Sequence, residues 1–171
     1  MQTQMHKFLG RKELRYTWHV RMGMSTLLEA AGLDLNVLDA AHKTPLYLAC
    51  ERGHVEVVKM LLADGRLDVD KSDMLECSPC HVACQSGHGE VVKLLLNAHA
   101  DKNKADGAGT TPLHSACRGG HCDIVRLLLD HGAVITSNNA GQTPLHLACD
   151  KPTATMIARL LLGAGSDPNI Q

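Results

Sequence analysis

The sequence predicts an all-α solenoid of stacked helix–turn–helix units joined by short β-hairpin loops, and three observations predict it. A two-part pattern returns at spacings of 34, 33 and 32 residues, and self-similarity at such a period marks an array of supersecondary units. Proline heads every copy and glycine closes most of them, the punctuation of a helix start and a helix stop. Aromatic residues make up 2% of the chain, limited to Phe8, Tyr16, Trp18 and Tyr47. An interior of Leu, Val, Ala, Cys and Met suits close helix–helix packing better than a β-sandwich.

The first helix of each unit opens on Thr44-Pro45-Leu46-Tyr47-Leu48-Ala49-Cys50, then Ser78-Pro79-Cys80-His81-Val82-Ala83-Cys84. The third and fourth copies are Thr111-Pro112-Leu113-His114-Ser115-Ala116-Cys117 and Thr143-Pro144-Leu145-His146-Leu147-Ala148-Cys149. A hydroxyl before proline is a good N-cap, and proline at the first helical position loses an amide that had no partner. The Leu, Ala and Cys positions make a narrow face that permits close approach. Gly53, Gly87 and Gly120 fit a tight turn at positive φ. The second helix begins at Glu56, Glu90 or Asp123, an acid near the positive helix end, with Lys59, Lys93 or Arg126 three residues on. Its apolar runs are Val57-Val58 with Leu61-Leu62, Val91-Val92 with Leu94-Leu95-Leu96, Ile124-Val125 with Leu127-Leu128-Leu129, and Ile157 with Leu160-Leu161-Leu162. Gly65 and Gly132 stop that helix, and His99 in the equivalent slot is expected in a mildly strained left-handed conformation. Each loop starts at Asp39, Asp73, Asp106 or Asn138, five residues before the capping hydroxyl. No unit can bury its own apolar face, so stability comes from stacking.

The Thr-Pro-Leu-His, Gly-His and Val-Val-Lys-Leu-Leu-Leu signatures resemble the ankyrin-repeat family. The resemblance is strong over about residues 38 to 170 and weak over 10 to 37. It implies two antiparallel helices per repeat, with a β-hairpin loop projecting sideways to the next. The resulting division is a degenerate N-terminal capping repeat with a basic segment over 1–37, then repeats over 38–70, 71–103, 104–136 and 137–171.

Both ends depart from the pattern. Leu27-Leu28-Glu29-Ala30-Ala31-Gly32 reads as the tail of an earlier repeat, but Gly10-Arg11-Lys12-Glu13 stands where the proline box belongs. Residues 1–24 carry Lys7, Arg11, Lys12, Arg15 and Arg21 against Glu13, a net of +4, and the remainder carries −5. The segment reads as a capping helix in which Leu14 and Trp18 cover the end of the stack and the charges are solvated. The competing reading is a tail for acidic partners or phosphate. At the other end Lys151-Pro152-Thr153 replaces the Gly-His turn, and an apolar last helix leads to Asn169-Ile170-Gln171, where another loop would begin. Natural arrays finish on a polar cap, so the sequence reads as a piece of a longer protein.

The chain has 171 residues, 44% hydrophobic, with 17 Lys+Arg against 18 Asp+Glu, which excludes wholesale disorder. Its seven cysteines are an odd number, no signal segment opens the sequence, and no apolar run reaches the ~18 residues of a membrane span. Free thiols in a reducing compartment follow, placing the protein inside the cell, in cytoplasm or nucleus, with no membrane insertion.

Several motifs look chemical. Cys77-Ser78-Pro79-Cys80-His81 matches the haem-attachment pattern Cys-x-x-Cys-His; repeat register explains it, and the chain lacks the aromatics for a haem pocket. Cys80 and Cys84, with Cys77 or His88, suggest zinc, yet such sites need four converging ligands. Cys84 shares its slot with Cys50, Cys117 and Cys149, read as buried packing residues. Cys77, on a loop, is expected to be the first thiol to react. His81, His114 and His146 follow the proline box and His54, His88 and His121 the turn glycine. The family resemblance gives these histidines structural hydrogen bonds. Ser115, His121 and Asp123 form a triad only on paper, since no nucleophile elbow, oxyanion loop or phosphate cradle is present. The reading is therefore no enzyme, with no catalytic residue, cofactor or metal.

What remains is protein–protein interaction, as a scaffold or adaptor. The resemblance implies a concave binding surface of loop tips and first helices. Carried over by position, its loop residues are Ala40, Ala41 and Lys43; Met74, Leu75 and Cys77; Gly107, Ala108 and Thr110; Asn139, Ala140 and Gln142. Its helix residues are Glu51 and Arg52, Gln85 and Ser86, Arg118, and Asp150 and Lys151. Adjacent apolar side chains at a loop tip need a partner or a reason, so Met74 and Leu75 stand out mid-array, where hot spots lie. Arg52 and Arg118 are the expected charged anchors; the plainer alternative folds Met74 and Leu75 back on the next loop. The partner is expected to be another protein, with no small-molecule substrate. Nucleic acid is disfavoured by the net −5 array. The alternative function is a regulatory or substrate-recruiting segment of a larger enzyme or ligase adaptor.

Overall fold

The computed structural model describes residues 35–165 apart from Arg66; residues 1–34, with the expected capping helix and basic segment, lie outside it. Paired helices run in chain order: α1 (Pro45–Arg52) with α2 (Val55–Leu62), and α3 (Pro79–Ser86) with α4 (Gly89–Asn97). They continue as α5 (Pro112–Gly119) with α6 (Cys122–Asp130), and α7 (Pro144–Ala148) with α8 (Ala154–Gly163). Among the described residues there is no strand; the expected β-hairpins are hydrogen-bonded turns. One helix pair falls within each of 38–70, 71–103, 104–136 and 137–171.

Local chemistry starts and stops the helices as the sequence dictates. Thr44, Ser78, Thr111 and Thr143 are extended N-caps followed by proline. Gly53, Gly87 and Gly120 close the first helices at φ of 70°, 82° and 79°, where a side chain would be strained. His99 adopts φ 61° and Gly132 φ 78°. Gly65 departs from expectation: its φ is not positive, and α2 ends on a right-handed Ala63. The link from Gly65 to Asp73 is one residue longer than that from His99 to Asp106, which relieves the need for a sharp reversal.

The core runs through the stack as two columns. First helices contribute Leu46, Ala49 and Cys50, then Cys80, Ala83 and Cys84, then Leu113, Ala116 and Cys117, all fully buried. Second helices contribute Val57, Val58 and Leu61, then Val91, Val92 and Leu95, then Ile124, Val125 and Leu128, then Ile157 and Leu161. Each large aliphatic side chain removed from water stabilises the stack by about 1.5–3 kcal/mol. Cys149 corrects the sequence reading: it is exposed, its Sγ–H donating to the Leu145 carbonyl at 3.3 Å. Its counterparts are covered by the following repeat, whereas no described helix follows α8.

Neighbouring repeats are also tied by polar contacts. The Asn36 side chain accepts the Asp68 N–H (3.1 Å), Asp70 accepts that of Asp101 (3.0 Å), and Asn103 that of Val134 (2.9 Å). At the helix turns the His88 and His121 rings lie over the turn glycine of the preceding repeat. A Cβ on Gly53 would meet His88 at 2.6 Å and one on Gly87 would meet His121 at 2.6 Å. In the last repeat Thr153, from the divergent Lys151-Pro152-Thr153 turn, takes this place and donates to the Gly120 carbonyl at 2.9 Å.

Candidate interaction surface

One loop design is used four times. Asp39, Asp73, Asp106 and Asn138 each turn a side-chain oxygen back onto two amides of their own loop. Asp73 Oδ1 accepts from Leu75 N–H at 2.9 Å and Cys77 N–H at 3.0 Å. Asp39 does so with Ala41 and Lys43, Asp106 with Ala108 and Thr110, and Asn138 with Ala140 and Gln142. Such turns suit short polar side chains that accept bonds two residues on. A backbone bond closes each loop, from Asp73 N–H to the Cys77 carbonyl at 3.1 Å in the second and from Asp106 N–H to Thr110 at 2.9 Å in the third. The slot three residues after the acid has positive φ: it is glycine at 109 and 141, but His42 (59°) and Glu76 (62°) in the first two loops.

Successive loops are joined through their backbones. Met74 N–H donates to the Ala41 carbonyl (3.4 Å), Gly107 N–H to Leu75 (3.1 Å) and Asn139 N–H to Ala108 (3.0 Å). The tips are thereby fixed in a row: Ala40-Ala41, Met74-Leu75, Gly107-Ala108, Asn139-Ala140. No charged side chain occurs among them. Met74 is 65% exposed and Leu75 75% exposed, so neither folds back on the next loop. All other tip residues are exposed too.

The histidines bind loops to helices. Nδ1 of His81 accepts from Ser78 N–H (3.1 Å), and Nε2 lies 2.8 Å from the Thr110 carbonyl of the next loop. A carbonyl only accepts, so the proton sits on Nε2. His114 repeats this with Thr111 N–H (3.2 Å) and the Gln142 carbonyl (3.1 Å). Burial holds both imidazoles below their ordinary value, opposed by the bond to the next loop's carbonyl. Tyr47 takes the role in the first repeat through its hydroxyl, which donates to Asp73 Oδ2 at 2.9 Å; burial, then that bond, pushes its ionisation far up.

Lys43 and Glu51 are half-buried and bound to each other at 2.8 Å, with the Lys43 ammonium 4.8 Å from the Tyr47 ring centre, a cation–π arrangement. Arg52, Gln85, Ser86, Arg118, Asp150 and Gln142 are exposed and Lys151 is half-buried. Thr110 is the exception. It is 2% exposed, its carbonyl taken by His81 and its amide by Asp106, so it leaves the candidate surface. Cys77 also corrects expectation. It is half-buried, and burial first, then Asp73 and Asp106, pushes its thiol up to about 12, which removes the thiolate needed for reaction. Cys149 is the exposed thiol. Cys80 and Cys84 lie 4.0 Å apart in the core, and among the described residues no three His, Cys, Asp or Glu side chains are grouped to hold a metal ion.

Sequence reasoning placed the loop starts but missed that the tips are joined by backbone bonds. The Asp or Asn at each loop start signals the bonds within a loop, whereas bonds from main chain to main chain leave no signal in residue type. Among the described residues no helix is long and apolar enough to cross a membrane. No curated protein matches the chain. A family model described as ankyrin repeats (3 copies) matches residues 20–106 and 99–171. With the box, the turn glycine and the stacked helix pairs in their places, the chain belongs to the ankyrin-repeat family.

Proposed function

We propose that this chain is a scaffold or adaptor that grips a partner protein through its row of loop tips and the adjoining ends of the first helices. Ankyrin repeats are generally protein–protein interaction modules and typically non-catalytic. One observation carries the choice of surface: Met74 and Leu75 are 65% and 75% exposed on a tip locked to both neighbouring loops. Apolar side chains on a backbone already held in place bind at a reduced ordering cost, which favours their use as anchors. The surface comprises the tips with Arg52, Gln85, Ser86, Arg118, Gln142, Asp150 and Lys151 around them. Seven free cysteines support a reducing intracellular compartment, cytoplasm or nucleus.

The test is partner capture from cell extract with the intact chain and with Met74→Ser/Leu75→Ser. Both residues are solvent-facing, so stability is expected to change by under about 0.5 kcal/mol. Loss of a hot spot weakens binding by about 2 kcal/mol or more, roughly thirtyfold. Unchanged capture alongside a lowered melting temperature would assign the two residues to folding and remove the proposed surface.

A further inference from the structure

Register fixes which side chains face each other beside the tips. The Lys43–Glu51 pair at 2.8 Å sets the last loop residue against the helix residue eight positions on. The same register opposes Cys77 with Gln85, Thr110 with Arg118, and Gln142 with Asp150. In the first repeat the pair is neutralised, and in the second it carries no charge. In the third, Thr110 is buried, so the exposed Arg118 has nothing opposite. Among the described residues the ion pairs involve Lys43 and Lys59, which leaves Arg118 without a carboxylate. Its position on the loop side is felt by its neighbours: its charge draws Cys77 down and disfavours the protonated His114. Arg118 thus stands one repeat along from Met74 and Leu75, and Asp150, next in the same column, has the opposite sign.

Resting on the proposed function, we infer that the partner segment is a short linear peptide placing an aliphatic or aromatic side chain on Met74 and Leu75 and a carboxylate on Arg118. Neighbouring helices in a stack are about 8–10 Å apart, and an extended chain advances about 3.3 Å per residue. Arg118 also lies six residues along α5 from Pro112, about 9 Å of helix rise, so the apolar and acidic residues of the partner are about four or more positions apart. Arg recognises a carboxylate through two parallel bonds, which gives the peptide a fixed direction, and Asp150 repels a further acid placed one repeat on.

The probe is a displayed library of random twelve-residue peptides selected on the intact chain. Enriched sequences are expected to carry an apolar residue with Asp or Glu about four or more positions away. Their affinity is expected to fall about five- to tenfold in Arg118→Glu, as for a partly exposed charge pair, and on raising salt from about 0.1 to 1 M. Selection on Arg118→Glu is expected to replace the acid with Lys or Arg. Peptides that need Met74 and Leu75 but ignore Arg118 and salt overturn this inference and leave the proposed function standing. Peptides indifferent to Met74→Ser/Leu75→Ser and to Arg118→Glu overturn both, and failure to enrich any sequence overturns the linear-peptide inference while whole-protein capture still tests the surface.

Discussion

Replacing His81 with leucine keeps the apolar volume beneath the second loop and deletes the hydrogen bonds of both ring nitrogens at once, including that from the Ser78 hydroxyl to Nδ1 at 2.8 Å. Nδ1 no longer accepts from Ser78 N–H, and the Thr110 carbonyl loses the Nε2 proton 2.8 Å away. Both orphaned groups belong to buried residues, Ser78 at 0% and Thr110 at 2% exposure, so water cannot readily replace the ring. Each unsatisfied buried group costs about 1–3 kcal/mol, and the two together give a loss of roughly 2–6 kcal/mol, a large share of a typical domain stability of about 5–15 kcal/mol. Urea unfolding at neutral pH reads the magnitude, and its pH dependence reads the mechanism. Because burial lowers the folded-state value of His81 and His114 below the ordinary 6.5, the unfolded chain binds more protons in that window. Stability is complete above pH 6.5 and is lost as pH falls through the depressed folded values, with a slope of up to about 1.4 kcal/mol per pH unit for each histidine. His81→Leu removes one such contribution and flattens the curve. A loss under about 1 kcal/mol, or an acid slope equal to that of the unaltered chain, would refute the reasoning.

Gly87→Ala places a Cβ 2.6 Å from the His121 ring at φ 82° and is expected to cost about 1–3 kcal/mol. Gly65→Ala meets no atom within 4 Å and needs no positive φ, so it is expected to be neutral or to stabilise by up to about 1 kcal/mol; thermal melts of the two variants check the opposite signs. In thiol labelling of the folded chain at neutral pH, Cys149 is expected to react first, with Cys77 protected by its pKa of about 12. Mass mapping that finds Cys77 labelled ahead of Cys149 would reverse that assignment.

The fold was legible because each repeat states its helix boundaries in residues with one job. Thr or Ser before Pro opens a helix, Gly at φ near 80° ends it, and even the strained His99 followed from its slot. The surface was less legible because burial depends on the neighbouring repeat. Cys149 has the sequence context of Cys50, Cys84 and Cys117, yet only those three lie beneath a following helix pair. Thr110 is the short residue in the loop-end slot that Lys43 and Gln142 fill with long side chains, and it alone of those three is buried. Bonds between loops left no trace in residue type, since main-chain groups of any residue can make them.

The rail of loop tips has a bearing on how recognition can work. From Met74 to Cys77 every amide proton is already engaged, to Ala41, to the Asp73 side chain or to its carbonyl. The same holds from Gly107 to Thr110 and from Asn139 to Gln142. A visiting strand finds no donors there and cannot extend the molecule by edge pairing. Main-chain recognition at the tips is thereby limited to carbonyl acceptors, and selectivity is vested in the side chains. Those can be exchanged without re-laying the main chain, which makes the tips the most freely reprogrammable letters in this protein.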